Sequence, residues 1–365
     1  MATKPHNLGL LRRVRDRFTL RRPPTGTDRM RHDHHDHTDR LVEIACDESG
    51  SEGEKLIGGN TDVFAHASVC LPMESAAACI QEARERIRSP AEEYKANHFL
   101  RGKHRAVLTW LLAPTGPIHG NAGVFLTDKT FFALSKLTGL LTDDPETARD
   151  LAVTLYHEGE PAFGRAGWAG FLWSFNDLVR AKIPAGPFFD LVETLRTGAD
   201  GPAAEIMKSL PAARPRITEY LDGVHEPPRT PVLDPLIPAI TQAVRHWGRG
   251  GRLVSIVHDE QTALTEERIA ELRTLFDHPP RPSGTRLIGF RLADSRDDAR
   301  IQVADFLAGI ARKITSEVLA GRADRELTEL IQPYIDESSI WGSTRTLPIL
   351  GLPAGVSRRP SAGPG

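Results

Sequence analysis

The sequence predicts an α/β fold on three observations. Five short apolar runs, bounded by glycine, proline or polar turns, read as β-strands. A long helical excursion lies between the third and the fourth run, from Thr130 to about Gly250. A final helix-length apolar segment, Asp298–Leu319, follows the fifth. Three early strands, a helical excursion and then strand–helix–strand–helix is the plan of a mixed sheet covered by helices.

The elements follow in order. Residues 1–38 read as an appendage: Leu11, Val14 and Phe18 fall at helical spacing among arginines, and Pro23-Pro24 ends that pattern. Leu41–Cys46 is strand one, opening into the turn Asp47-Glu48-Ser49-Gly50. Val63–Leu71 is strand two, stopped by Pro72, and Ser75–Arg88 has helical composition. Strand three is Gly123–Thr127, ending in Asp128-Lys129. Helical signals then cover Phe131–Leu141, Glu146–His157, Trp168–Ala181, Phe188–Thr197 and Pro235–Trp247, with Pro202, Pro211 and Pro215 marking loops among them. Strand four is Arg252–His258, a helix spans Glu266–Phe276 with Thr265 as its N-cap, and strand five is Arg286–Leu292. The chain divides into an arm (1–38), a main domain (39–335) with an insertion at about 130–250, and an irregular tail (336–365) whose end, Ser357–Gly365, reads as disordered.

Composition narrows the function. The 365 residues are 40% hydrophobic, enough for a substantial core, and no apolar run is long enough to span a bilayer. Neither a secretory leader nor a membrane partner is expected. Cys46, Cys70 and Cys79 are scattered, with no CxxC pair, and read as reduced thiols of a cytoplasmic protein. The net charge of −2 hides an asymmetry: residues 1–31 carry nine Lys or Arg against two acids, so a basic arm precedes an acidic body. Such an arm suits a polyanion, though a merely solvated tail has the same composition. The tract His32–His37 offers imidazoles and carboxylates, but as a flexible stretch without outer-shell support it reads as incidental. A Walker loop, a dinucleotide fingerprint, an HExxH pair and a GxSxG elbow are all absent from the sequence.

The chemistry-bearing residues are acids at strand ends. Asp47 closes the first run and Asp259 the fourth, while Asp305 lies in the apolar stretch Val303–Ala308 of the last helix. There an unpaired charge is costly and ligation of a cation relieves it. Asp298, Gln302 and Asp305 follow i, i+4, i+7 spacing and are expected on one helix face. Turn-capping is the plain alternative for Asp47 and Asp259. Glu48 and Glu260 are alternates, each directed away from its neighbouring Asp if the strand continues. His258 offers a proton carrier, against a structural hydrogen-bonding role at a strand end.

The pieces Asp47-Glu48-Ser49-Gly50, Glu93-Tyr94-Lys95, Asp128-Lys129, Asp259-Glu260, Asp294-Ser295, Ile301–Asp305 and Ala308-Gly309 resemble the uncharacterised family called domain of unknown function 3800, over residues 41–315. That family is grouped with ribonuclease-H-like folds. The resemblance implies a ribonuclease-H-like five-stranded mixed sheet with flanking helices, and a site holding two Mg²⁺ or Mn²⁺ ions. The expected metal ligands are Asp47, Asp259, Asp305, Glu93 and Glu48, with Gln302 and Lys95 as catalytic helpers and Lys129 as a second phosphate-facing cation. Ions roughly 3.5–4 Å apart would activate water and stabilise the leaving oxygen. The expected activity is metal-dependent hydrolysis of RNA or DNA. The alternatives are a non-catalytic nucleic-acid-binding adaptor, using the helical insertion for a protein partner, and a hydrolase of a small phosphorylated or nucleotide substrate.

Overall fold

Val, Ile, Ala and Phe in five short runs build one sheet, because β-branched and aromatic side chains fit a pleated surface buried on both faces. The computed structural model describes residues 41–91, 94–225, 231–277 and 285–353. The basic arm, its His-rich tract and Ser357–Gly365 lie outside these residues. The strands are β1 (Leu41–Ser49), β2 (Val63–Val69), β3 (Ala122–Asp128), β4 (Leu253–Asp259) and β5 (Arg286–Ala293), in the order β3-β2-β1-β4-β5. β1 pairs antiparallel with β2 and β2 with β3, whereas β1 with β4 and β4 with β5 are parallel. The expected α/β class and five-stranded mixed sheet are therefore present. β1 runs further than the sequence suggests. It continues through Asp47 and Glu48 to Ser49, and the turn falls at Gly50 with φ +82°. A Cβ there would lie 2.5 Å from the Val63 carbonyl oxygen, so only glycine fits.

Twelve α-helices surround the sheet among the described residues. They are α1 (Met73–Ile87), α2 (Ala96–Phe99), α3 (Arg105–Leu112), α4 (Lys129–Thr138), α5 (Pro145–Val179), α6 (Ala185–Arg196), α7 (Pro202–Ser209), α8 (Arg214–His225), α9 (Leu236–Trp247), α10 (Glu266–Asp277), α11 (Ala299–Leu319) and α12 (Arg325–Ile331). α11 is the central one. Its apolar residues Val303, Ala304, Phe306, Leu307 and Ile310 are all buried, packing with α1 and the small residues Ala65 and Ala67 of β2. Gly309 lets α2 approach closely, since a Cβ would run into Ala96. On the other face, α9 and α10 cover Val42, Ile44, Cys46, Val254 and Ile256. None of the helices is long and apolar enough to cross a membrane, among the described residues.

The insertion is a helical cap with its own core. Phe132, Phe171, Phe175, Phe188, Met207 and Ile217 of α4–α8 pack together with Leu56 and Ile57 from the loop after β1. Asn176 ties that loop down, accepting from the Ile57 N–H at 3.2 Å and donating to the Glu54 carbonyl at 2.7 Å. The two helices expected over Glu146–His157 and Trp168–Ala181 are the two arms of Pro145–Val179, which breaks between them at Gly164 with φ 68°. Two local readings change. α7 and α8 occupy a stretch that its prolines mark as loop; Pro202 instead sits in the first helical turn of α7, where a missing N–H costs nothing. α9, although inside the expected insertion, packs on the sheet.

The tail is irregular, yet residues 335–352 are docked. Ile335 and Ile340 form parallel bridges to Val124 and Thr127, and the Asp336 and Ile340 N–H groups donate to β3 carbonyls at 2.8 Å. This segment covers an otherwise bare sheet edge. Trp341 anchors it, 3% exposed, with Nε1 donating to Thr346 Oγ1 at 2.8 Å. Trp341→Ala is expected to cost about 3–5 kcal/mol of stability; an unchanged midpoint in urea unfolding would show that the segment contributes nothing to the fold.

Candidate functional site

Side-chain alternation along β1 sorts the candidate residues onto two faces. Ala45 packs with Val257 of β4 and Ile301 of α11, so Asp47, two residues on, faces α11. In β4, Val257 and Asp259 share that face. The in-register pairing of Cys46 with His258 carries Asp47 and Asp259 to neighbouring positions at the carboxyl ends of adjacent parallel strands. Asp305, on α11, comes to the same place from above the sheet.

The electrostatics record that proximity. Asp47 is only 6% exposed. Burial, then the negative fields of Glu48, Asp305 and Asp259, push its carboxyl up to about 9, against a partial offset from the Glu48 N–H, which donates to Oδ1 at 2.7 Å. Asp259 Oδ1 accepts from the Ser295 N–H at 3.1 Å, and Gln302 Nε2 donates to the Ser295 carbonyl at 2.8 Å. Ser295 thus couples β4 to α11. Gln302 Oε1 is buried without a hydrogen-bond partner among the described residues. Lys95, at the N-cap of α2, brings Nζ to 4.0 Å from Asp305 Oδ2. Arg312 lies behind the turn, donating from Nε to Ser49 Oγ at 2.9 Å.

Asp47, Asp259, Asp305, Gln302 and Lys95 therefore gather at one end of the sheet, and other candidates do not. Asp298 is not on the Asp305 face: it precedes α11 as its N-cap, accepting from the Arg300 N–H, and is gripped by Arg300 and Arg291 at 2.7 and 3.3 Å. The helix begins one residue later than its spacing pattern requires. Lys129 is 1% exposed and committed to Glu52 and Thr61, both at 2.6 Å, so it meets no phosphate beside Asp47. Glu93 lies outside the described residues. Glu48, still inside β1, turns to the opposite face, where Gln261 Nε2 donates to its carboxylate. Its charge still reaches Asp47.

One residue that the sequence reading passes over belongs to this second group. His66, the cross-strand partner of Glu48, is buried and places Nε2 3.2 Å from His258 Nε2. The signal was a single imidazole in the otherwise apolar or small run Val63–Val69.

Among the described residues, no three His, Cys, Asp or Glu side chains stand already arranged to hold a metal ion. The acids meet the Glu48 N–H, the Ser295 N–H and Lys95 instead. The donor chemistry still fits a hard cation: every candidate donor is oxygen, and a buried, strongly raised carboxyl beside two further acids is the group a divalent ion would stabilise. Comparison of the chain with family models, curated proteins and solved structures returns no match.

Asp47 sets a pH dependence with a definite sign. Its folded-state value lies above its ordinary 3.8, so the native protein retains a proton that the unfolded chain has lost. The stability this contributes is complete below about 4 and is lost as pH rises through about 9. Asp47→Asn is therefore expected to raise the stability of the metal-free protein by about 1–3 kcal/mol at pH 8, with little effect at pH 4. Thermal melts in EDTA at the two pH values check this, and equal effects at both would remove the electrostatic account.

Proposed function

We propose that this chain is a divalent-cation-dependent phosphodiesterase acting on nucleic acid, built on a ribonuclease-H-like sheet. The observation that carries the reading is the placement of Asp47 beside Asp305 and Asp259, its carboxyl raised to about 9 by burial first and then by the fields of Glu48, Asp305 and Asp259. The strand order and mixed pairing support it. So does the site's location: the chain leaves β1 toward β2 and β4 toward β5, so the two connections diverge at the carboxyl ends of these strands, the kind of place where open α/β sheets bind ligands. The resemblance of Asp47–Gly50 and Ile301–Asp305 to domain of unknown function 3800 points the same way.

Asp47, Asp259 and Asp305 would hold the cations, with Mg²⁺ or Mn²⁺ the fitting classes for an all-oxygen donor set. A bound pair supplies an activated water and charge stabilisation at the leaving oxygen. The chain's own residues do the rest. Ser295 holds Asp259 in place and is itself held by Gln302. Lys95 sits where a cation can meet the negative charge of a phosphodiester, and its attraction to Asp305 keeps it there in the absence of substrate. The nine basic residues of the arm supply non-specific affinity for a polyanion. Glu48 acts through its field on Asp47, from the other side of the sheet.

A non-catalytic nucleic-acid binder is the second reading, favoured by the ion pairing of Lys95 with Asp305 and by the absence of an assembled metal-holding group among the described residues. The two separate cleanly. With labelled RNA, DNA and hybrid substrates in Mn²⁺, Asp47→Asn and Asp305→Asn are each expected to lower cleavage by about 1,000-fold or more, while oligonucleotide binding in EDTA stays within about threefold. Lys95→Met should lower kcat/KM by about 10–100-fold. Cleavage that survives both aspartate changes belongs to another site, and salt-sensitive binding without any cleavage leaves the binder reading.

A further inference from the structure

We propose that Glu48, His66 and His258 form a second cation site on the face of the sheet opposite Asp47, one that takes a Zn²⁺-class ion. This inference is independent of the phosphodiesterase reading. The three residues come from three adjacent strands, β1, β2 and β4, with Glu48 and His66 directly paired. Both imidazoles and the carboxylate are buried, at 1%, 0% and 8% exposure. His66 Nε2 lies 3.2 Å from His258 Nε2, which lies 3.8 Å from Glu48 Oε2.

Proton counting singles this cluster out. His258 Nδ1 lies 2.9 Å from the Asp259 carbonyl oxygen, which can only accept, so the neutral ring carries its proton there and presents a bare lone pair at Nε2. A hydrogen bond from His66 Nε2 satisfies that lone pair. It leaves two buried acceptors, Glu48 Oε2 and His66 Nδ1, with no hydrogen-bond partner among the described residues. Stranded buried acceptors are costly.

A divalent ion satisfies all three converging donors at once. With metal–nitrogen and metal–oxygen lengths near 2.0–2.2 Å, tetrahedral corners stand about 3.3–3.5 Å apart. The imidazole pair stands close to that spacing, at 3.2 Å. The 3.8 Å edge requires the Glu48 carboxylate, whose other oxygen is held by Gln261, to turn by a few tenths of an ångström, and the trio does not stand assembled as a metal-holding group among the described residues. His66 would then move its proton to Nδ1. A cavity of about 10 Å³, lined in part by His66, Ser68, His246 and Asp336, adjoins this residue and has room for about one water. His258 keeps its bond to the Asp259 carbonyl, the outer brace that metal-bound imidazoles commonly use. Two nitrogen donors select Zn²⁺ over Mg²⁺, so the two faces of this sheet end differ in the ion they prefer. Bound metal would staple β2, β1 and β4 together just behind Asp47 and Asp259.

The test uses the full chain with His32, His34, His35 and His37 changed to Gln, because that tract competes for the same ions, and with Asp47→Asn to disable the acidic face. Co²⁺ is titrated as a spectroscopic stand-in for Zn²⁺. One equivalent is expected, with the intense visible bands of a nitrogen-ligated, low-coordinate ion, displaced by Zn²⁺ and unaffected by millimolar Mg²⁺. His66→Gln and His258→Gln should each weaken it by at least about 100-fold, with melting curves confirming that each variant folds. The parent alone decides the main point should a variant not fold: weak bands, absent saturation or displacement by Mg²⁺ overturns the proposal. Unchanged affinity in a folded His66→Gln variant does so as well.

Discussion

The parallel pairing of β1 with β4 is the constraint on which the rest of this molecule depends. It joins segments separated in sequence by the whole helical cap, and its register places Cys46 opposite His258. Because side chains alternate along a strand, a slip of one residue would send either Asp47 or Asp259 to the wrong face. The acids are thus aligned by backbone hydrogen bonding alone, before any side chain chooses a partner. α11 then needs only to lie across β1 and β2, which its apolar stripe and Gly309 permit, for Asp305 to complete the group.

The sheet end carries two opposed electrostatic problems. On the α11 face, negative charge accumulates, with Lys95 as the nearby counter-charge at Asp305. On the other face, imidazole and carboxylate lone pairs outnumber protons. Either proposed cation would therefore couple binding to folding stability at this end of the sheet. The cap and the docked tail solve their polar accounting internally: Asn176 meets both of its partners, and Trp341 meets Thr346.

Much of this was legible from residues alone, and the failures have physical causes. The end of β4 at Asp259 is legible because an apolar run stops at a charge, Asp47 is legible for the same reason although β1 runs on two residues further, and Asp305 because a carboxylate interrupts a stripe destined for burial. Asp298 could not be placed, since an Asp before a helix can equally start it, and only the capped Arg300 N–H decides between them. Lys129 looked like a phosphate ligand because nothing local reveals Glu52, which meets it across the fold. His66 was passed over because its meaning lies wholly in cross-strand pairing with Glu48. Pro202 reads from sequence as a loop marker, although at a first turn the same ring is a helix starter. The ribonuclease-H-like identity remains a proposal resting on strand order and acid placement.

The segment from Ile335 to Leu352 has a temporal consequence. It is made after every strand, yet it seals the edge of β3, whose own residues are made long before. Until it emerges, that flank is exposed and can recruit the strand of a neighbouring nascent chain. A premature stop near residue 334 would therefore yield a chain with most of its core but a sticky border, prone to association rather than to simple unfolding.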